Sequence, residues 1–434
     1  MVVRFFYNLL QMIGLIVFAP IIFVKVILTP KYRSRVPARL GLGLDRLALD
    51  KFSGRPRLWL HALSVGEVAS ARYLVKELRR AHPEAAIFFS SATRAGEHFA
   101  RETLTGQVDL FVPFPLDLGW SVQRIVTAVK PDLFVLVETD FWPNMLACLK
   151  KHNIPALLVN GRISAESLAR YRSLNWFFLP LFQSFSHLAM QTERDALNLI
   201  ELGVAGQRVS VLGNLKYDAV VPAVRAGSEP AGRAVYAIPD QALVWVAGST
   251  HQGEEEVILA AFARLVAVYP DLFLVLAPRN VERGTELQLL AREAGFSVRR
   301  WTEENSQNDA RVLVLDTLGK LAGLYALCDF AYVGGSLVPE RGHNPLEPAV
   351  FGKPVMFGPH MEDFEEISRD LLKVGGAREV KGEDEIFACV SGWLSDNNER
   401  ERVGAQGRQL VLRQQGVTQR HLALIDDILA RREL

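Results

Sequence analysis

Cysteine is scarce in this chain. There are three in 434 residues, Cys148, Cys328 and Cys389. They lie far apart and in no metal-like spacing, which argues against a disulfide framework and fits a reducing compartment. Net charge is missing too: 49 Lys and Arg face 48 Asp and Glu, a formal +1, so no global field points to nucleic acid as a partner. No G-x-G-x-x-G follows the first strand of either half, which disfavours a nicotinamide dehydrogenase. Solenoid-period repeats and low-complexity tracts are also absent. What remains is an ordinary globular composition, 49% hydrophobic and 22% charged, in a chain long enough for two domains.

One local absence is informative. Phe5 to Val24 carries no charged residue, about the ~20 residues a helix needs to cross a bilayer. Arg4 precedes the run, and Lys25, Lys31, Arg33, Arg35 and Arg39 follow it. The positive-inside rule then puts the bulk of the protein on the cytoplasmic side of the membrane. No small-residue cleavage site follows, so a signal peptide fits poorly. Asn8, Gln11 and Pro20 interrupt the run, and both a full span and a helix lying in the interface stay open. Residues 1–30 are therefore expected to be a membrane anchor. Arg33, Arg35, Arg39, Arg46, Arg55 and Arg57 are expected either to attract anionic headgroups or only to fix topology.

Beyond the anchor, strand and helix signals alternate. Short apolar runs read as buried parallel strands at 58–62, 86–91, 133–138, 156–160 and 188–191, and again at 243–249, 272–279, 311–316, 330–335 and 354–358. Helical patterns separate them, the mark of βαβ units. Small residues, prolines and glycines at 218–241 mark a boundary. The expected organisation is an N-terminal Rossmann-like domain at 31–217, a C-terminal one at 218–397, and a helical segment at 398–434 that packs back on the body. Two such domains face a cleft, and ligands of open α/β sheets bind beyond the C-terminal strand ends.

Polar motifs sit just after these strands. HALSVGE puts Glu67 at a helix start, either as a first-turn acid favoured by the dipole or as a general base. ETDFWPN offers Glu138 and Asp140, one of them as a cap for the helix that follows or the two as a metal-binding acidic motif, for which no partner His or acid stands at ligand spacing. GNLKYD, after a further strand VSVLG at 209–213, offers Lys216, a cation for phosphate or carboxylate. The loop GSTHQGEE could present free backbone N–H groups to an anion. LAPRN ends a strand with Pro278 and Arg279, whose guanidinium suits phosphate or a neighbouring acid. In GGSLVPERGHNPLEP, Gly334 and Gly335 would let a ligand approach the backbone. Asn344 would be the N-cap of a helix with Pro345 first and Glu347 third, a capping box that doubles as a nucleotide seat. His343 could contribute.

Taken in order, HALSVGE, ETDFWPN, NGRIS, GNLKYD, GSTHQGEE, APRN, DTLGKL, VGGSL, GHNPLEPA and GPH make the chain resemble the 3-deoxy-D-manno-octulosonic acid (Kdo) transferases of lipopolysaccharide assembly. The resemblance implies a GT-B fold and inverting transfer of Kdo from a CMP-Kdo donor to a lipid A precursor acceptor at the inner membrane. It implies Glu67 as general base, with Glu138 and Lys216 stabilising the transition state. It assigns CMP binding to Pro278, Arg279, Leu318, Gly319, Lys320, Asn344, Pro345, Leu346 and Glu347. Asn280, Lys320 and Arg341 depart from the common pattern, and Lys320 puts any side-chain role at that position in doubt. No cofactor and no metal requirement is expected, which activity in excess chelator would check. A transferase using another activated sugar on a membrane lipid, and a non-catalytic nucleotide-binding membrane scaffold, are the alternatives.

Overall fold

The computed structural model describes residues 2–29, 33, 35–220, 232–303 and 310–433. Its contacts divide it into two compact units, Met1–Ala219 with Gly416–Leu434, and Val220–Gln415. Part of the boundary tract expected at 218–241 lies outside the described residues.

The first unit is built on seven strands: β1 (Arg57–Ala62), β2 (Ala86–Ser91), β3 (Leu110–Phe111), β4 (Leu133–Val137), β5 (Ala156–Gly161), β6 (His187–Met190) and β7 (Val209–Val211). All pair in parallel, in the order β3-β2-β1-β4-β5-β6-β7. Alternate residues feed opposite faces. Trp59, Phe88, Phe134 and Leu158 join one buried cluster, while Leu60, Ile87, Val135 and Val159 join the other. Two-sided burial is why these strands read as unbroken apolar runs. The order reverses direction between β1 and β4, so the loops after these two strands open a switch point.

The second unit repeats the scheme with β8 (Leu243–Thr250), β9 (Leu272–Pro278), β10 (Val298–Arg300), β11 (Val312–Val314), β12 (Phe330–Val333), β13 (Val355–Phe357) and β14 (Ala377–Glu379). The order is β10-β11-β9-β8-β12-β13-β14. Its switch point lies between β8 and β12.

Three strands have no counterpart in the sequence reading: β3, β10 and β14. Each lies at a sheet edge, spans only two or three residues and is part-exposed. An edge strand covered on fewer sides needs no long apolar run.

The C-terminal segment divides. Helix Asn397–Arg413 lies in the second unit, and from Gly416 the chain belongs to the first. Asp218 fixes this return by accepting from the backbone N–H of Gly416 at 2.8 Å and of Thr418 at 2.6 Å. Helix Val417–Glu433 then buries Val417, Leu422 and Ile425 against the first unit's core.

The N-terminal helix spans Val2–Leu28, and its window Arg4–Ile21 has a mean hydropathy of 1.5 with none of it buried. Arg4, Tyr7, Asn8 and Gln11 recur at helical spacing and form one polar face. Arg4 Nε donates to Asn144 Oδ1 at 3.1 Å, and Tyr7 Oη donates to Asp117 Oδ2 at 2.9 Å. Asn144 Nδ2 donates to Asn8 Oδ1 at 2.7 Å and to Gln11 Oε1 at 3.4 Å.

The arginine run does not form one headgroup patch. Arg57 is buried in β1 with its guanidinium over Phe88, and Arg55 pairs with Asp132 at 2.6 Å.

Candidate active site

The first unit gathers its acids at the switch point between β1 and β4. Helix Val65–Ala81 starts two residues after β1 because Ser64 caps it, its Oγ accepting from Glu67 N at 3.5 Å. Glu67 reaches back to accept from Leu63 N, completing a reciprocal cap. The first-turn capping role expected of this acid is thus present. Burial, then the charge of Glu138, push its carboxyl up to about 8, and Asp140 adds to the effect. A carboxyl poised this close to neutrality accepts a proton readily, as a general base must.

Glu138 follows β4 directly with φ 68°. A non-glycine residue held there costs about 1–3 kcal/mol, and such strain gathers at functional sites. Asn160, at the end of β5 with φ 55°, donates from Nδ2 to Glu138 Oε1 at 3.2 Å and accepts from Leu215 N at 2.9 Å. Its backbone oxygen accepts from Gln191 Nε2 at 2.9 Å, and Gln191 Oε1 accepts from Asn214 Nδ2 at 3.0 Å. Asn214 Oδ1 in turn accepts from Lys216 N at 3.0 Å. One buried asparagine thus holds the Glu138 carboxylate and the turn that carries Lys216. Glu67 and Glu138 lie close enough for their charges to interact, and Asn160, which no sequence signal singled out, ties Glu138 to the turn that carries Lys216. Its position as the last polar residue of a buried strand is the signal in hindsight.

Asp140 has a different partner from either of those expected. His61 is fully buried, stacked on Phe114 with centroids 3.5 Å apart, and its Nε2 lies 3.2 Å from Asp140 Oδ2. Burial lowers the His61 pKa, against the pull of Asp140. Neither Asp140 nor Glu138 caps the next helix, Pro143–Lys151. Asp117 does so, accepting from Asn144 N at 3.0 Å and Met145 N at 2.9 Å.

In the second unit, the N–H of His251 in the loop after β8 is taken by an internal acid. This acid is Glu254, which is fully buried. Its carboxylate accepts from His251 N (2.9 Å), Gly335 N (2.7 Å), Ser336 N (2.9 Å), Leu337 N (2.9 Å) and Tyr332 Oη (2.6 Å). The internal carboxylate locks the β8 and β12 loops together with charge-assisted bonds. Gly334 is also required for a reason other than ligand approach. A Cβ there would lie 2.4 Å from Ser249 O and 2.6 Å from Thr250 Cα. Gly335 supplies φ 67° for the turn.

These loops frame a cavity of about 830 Å³ lined by Thr250, His251, Arg279, Asn280, Arg283 and Glu340, among others. Arg283 is neutralised by Glu255 at 2.8 Å and Glu286 at 2.7 Å. Arg279 is anchored through its backbone N–H to Thr250 O at 2.9 Å, and among the described residues its guanidinium forms no ion pair. Of the two arginines lining the cavity, it is the one without an ion pair among the described residues. His251 and His343 meet Nε2 to Nε2 at 2.8 Å. Burial, then His251 and Arg279, push His343 down to about 4, so that ring is neutral at pH 7.

The helix after Asn344 differs from expectation. It is one turn, Leu346–Ala349, with Pro345 at the N-cap. Asn344 precedes the cap and still accepts from Leu346 N at 3.1 Å. A single turn has little dipole to offer an anion. Glu347 stands beside it: burial raises its carboxyl to about 7, while Arg279 and Asn344 oppose the rise. Pro278 is buried at the end of β9, paired with Thr250. Leu318, Gly319 and Lys320 follow β11 at the same strand edge but do not line the cavity. Leu318 is 70% exposed, Gly319 has φ 81°, and the Lys320 cation lies 5.9 Å from the Trp301 ring centre.

Two doubly wound parallel sheets, each with its polar loops at a switch point, define the GT-B class. Solved structures share this fold: UDP-GlcNAc 2-epimerase from Neisseria meningitidis, at 12% identity, has a TM-score of 0.58 over 82% of this chain and 99% of that one. A glycosyltransferase from Rickettsia africae, at 13% identity, has a TM-score of 0.56 over 86% and 98%. Residues 34–219 match the family model described as 3-deoxy-D-manno-octulosonic-acid transferase. The Haemophilus influenzae 3-deoxy-D-manno-octulosonic acid transferase is 34% identical over 99% of both chains. The Aquifex aeolicus protein of the same name is 32% identical over 79% of this chain and 87% of its own. The chain belongs to the 3-deoxy-D-manno-octulosonic acid transferase family.

Proposed function

We propose that the chain is an inverting glycosyltransferase that moves Kdo from CMP-Kdo to a lipid A precursor in lipopolysaccharide biosynthesis. The supporting observation is the pairing of Glu67 and Glu138 at the first unit's switch point, with Asn160 tying Glu138 to the turn that carries Lys216. In the proposed reaction an acceptor hydroxyl attacks the anomeric carbon and its proton passes to Glu67. The bond from that carbon to the phosphate oxygen breaks with its electron pair, and CMP leaves as an anion. General-base help of this kind contributes about 10²–10⁴-fold. Glu138 and Lys216 flank the developing charge, as fixed groups that need no reorganisation when it forms. In this reading Arg279 binds the donor phosphate and Glu347 accepts from nucleotide hydroxyls.

The N-terminal helix holds the chain at the inner membrane with both units on the cytoplasmic side. Its polar face favours a helix lying in the interface over a span. A span of Arg4–Ile21 would carry Arg4 about 27 Å from Ile21, to the far side of the membrane and away from Asn144 and Asp117. The donor is tested by supplying CMP-Kdo or UDP-sugars with a lipid A precursor and measuring nucleotide release. Acceptor-dependent release of CMP supports the proposal, and acceptor-dependent release of UDP alone refutes it.

A further inference from the structure

GNLKYD carries an acid that the proposed chemistry leaves unused. We infer that this residue, Asp218, is a positioning residue for Lys216: it docks the returning chain at Gly416–His421 onto the turn that carries the lysine and so holds that turn in place. This rests on the transferase reading above and deepens it.

The chain is helical from Lys216, which puts Asp218 two residues on, in the first turn. Residues two apart on a helix do not face each other. The lysine is half-buried on one face, and Asp218 is buried on another. Both carboxylate oxygens of Asp218 are taken, Oδ1 by Gly416 N and Oδ2 by Thr418 N. Thr418 N is among the first N–H groups of helix Val417–Glu433, which find no partner within the helix. A carboxylate 200 residues earlier in the chain supplies one. Bonds to an ionised acceptor are about twice as strong as neutral ones.

The docked segment grips the turn at further points. Arg420 Nε donates to Leu212 O at 2.9 Å. Gly213 has φ 95°, and a Cβ there would lie 3.0 Å from Val417 Cγ2 and 3.3 Å from Arg420 Nη2, so the two stretches meet with little room to spare. His421, fully buried, reaches the other side of the turn. Burial pushes its pKa down to about 4, so the ring is neutral at pH 7. Its Nδ1 lies 2.8 Å from Val417 O and carries the proton, which leaves Nε2 to accept from Asn160 N at 3.3 Å. Asn160 in turn holds Leu215 N and the Glu138 carboxylate. Residues 212–218 are thus fixed between Asn160 and the returning chain, and Asp218 makes the two shortest bonds to that chain. A cation on this turn stabilises charge in the reaction only while the turn keeps its place, and a displacement of about 1 Å costs about 10²-fold in rate.

The experiment measures acceptor-dependent CMP release by full-length wild type, Asp218→Asn, Lys216→Ala and the double variant, each well below its melting temperature. An asparagine amide oxygen can take one of the two N–H groups, and its NH₂ opposes the other. Asp218→Asn should lower kcat about 10–100-fold with the KM for CMP-Kdo unchanged. Added to Lys216→Ala, it should cost nothing further, because it acts through that lysine. An Asp218 that only fastened the helix would lower the melting temperature and leave kcat as it was. Arg420→Gln, at an exposed position, removes the contact to Leu212. It should lower kcat by a smaller factor, again only where Lys216 is present, and gives the readout if Asp218→Asn fails to fold. Unchanged kcat, a loss of equal size with and without Lys216, or a defect confined to the KM for CMP-Kdo overturns the inference. Wild type that releases no CMP with the lipid acceptor present refutes the transferase reading itself, and this inference with it.

Discussion

Replacing Glu67 with Gln should make the protein more stable while removing its activity. The amide oxygen can still accept from Leu63 N, so the helix cap survives. What disappears is a carboxyl held at about 8 by burial and by Glu138. A carboxyl whose folded pKa lies above its unfolded value of 4.5 keeps a proton that the unfolded chain gives up. Wild-type stability therefore falls as pH rises from about 4.5 and levels off above about 8. At about 1.36 kcal/mol per pH unit, the cost reaches on the order of 3 kcal/mol at pH 7. The variant escapes it. Thermal melts of the full-length protein at pH 5, 7 and 8.5 should show a gain for Glu67→Gln that is small at pH 5 and grows with pH. A gain that is absent at pH 8.5, or equal at all three, would refute the electrostatic account. Turnover should fall by about 10²–10⁴-fold, and wild-type kcat/KM should climb through a limb with an apparent pKa near 8 that the variant lacks.

Three further outcomes follow from named contacts. Arg279→Ala should weaken CMP-Kdo binding about 10–100-fold, measured by titration calorimetry; unchanged donor affinity would remove Arg279 from the site. Glu254→Ala removes the acceptor of four backbone N–H groups, two of them buried, at about 1–3 kcal/mol for each buried one, and should destabilise the second unit and abolish donor binding; a variant with wild-type melting and affinity would contradict the lock between the β8 and β12 loops. Cysteine introduced as Val2→Cys should react with a membrane-impermeant maleimide from the cytoplasmic face, in inside-out vesicles; labelling only from the opposite face would establish a span.

The sequence revealed most of the architecture because parallel strands buried on both faces are written as continuous apolar runs. It missed β3, β10 and β14 because edge strands carry no such run. The places of Glu67, Glu138, Lys216 and Arg279 in the fold were legible, because each directly follows a strand or sits at the start of the element after it. Asn160, His61 and Glu254 were not. Each is a buried polar group whose role comes from partners distant in the chain: Leu215, Ser90 and Asp140, and the Gly335–Leu337 turn. A glycine pair reads the same whether it admits a ligand or, as at Gly334, a neighbouring backbone. The helix at Asn344 was overestimated because cap residues announce where a helix begins and say nothing about how long it runs.

The most direct measurement is mass spectrometry of the lipid after incubating the purified protein with CMP-Kdo and a lipid A precursor, alongside Glu67→Gln. The account predicts a lipid heavier by one or more Kdo residues with wild type and almost none with the variant, while both proteins still bind CMP-Kdo. An unmodified lipid with wild type, or equal modification by the variant, would contradict it.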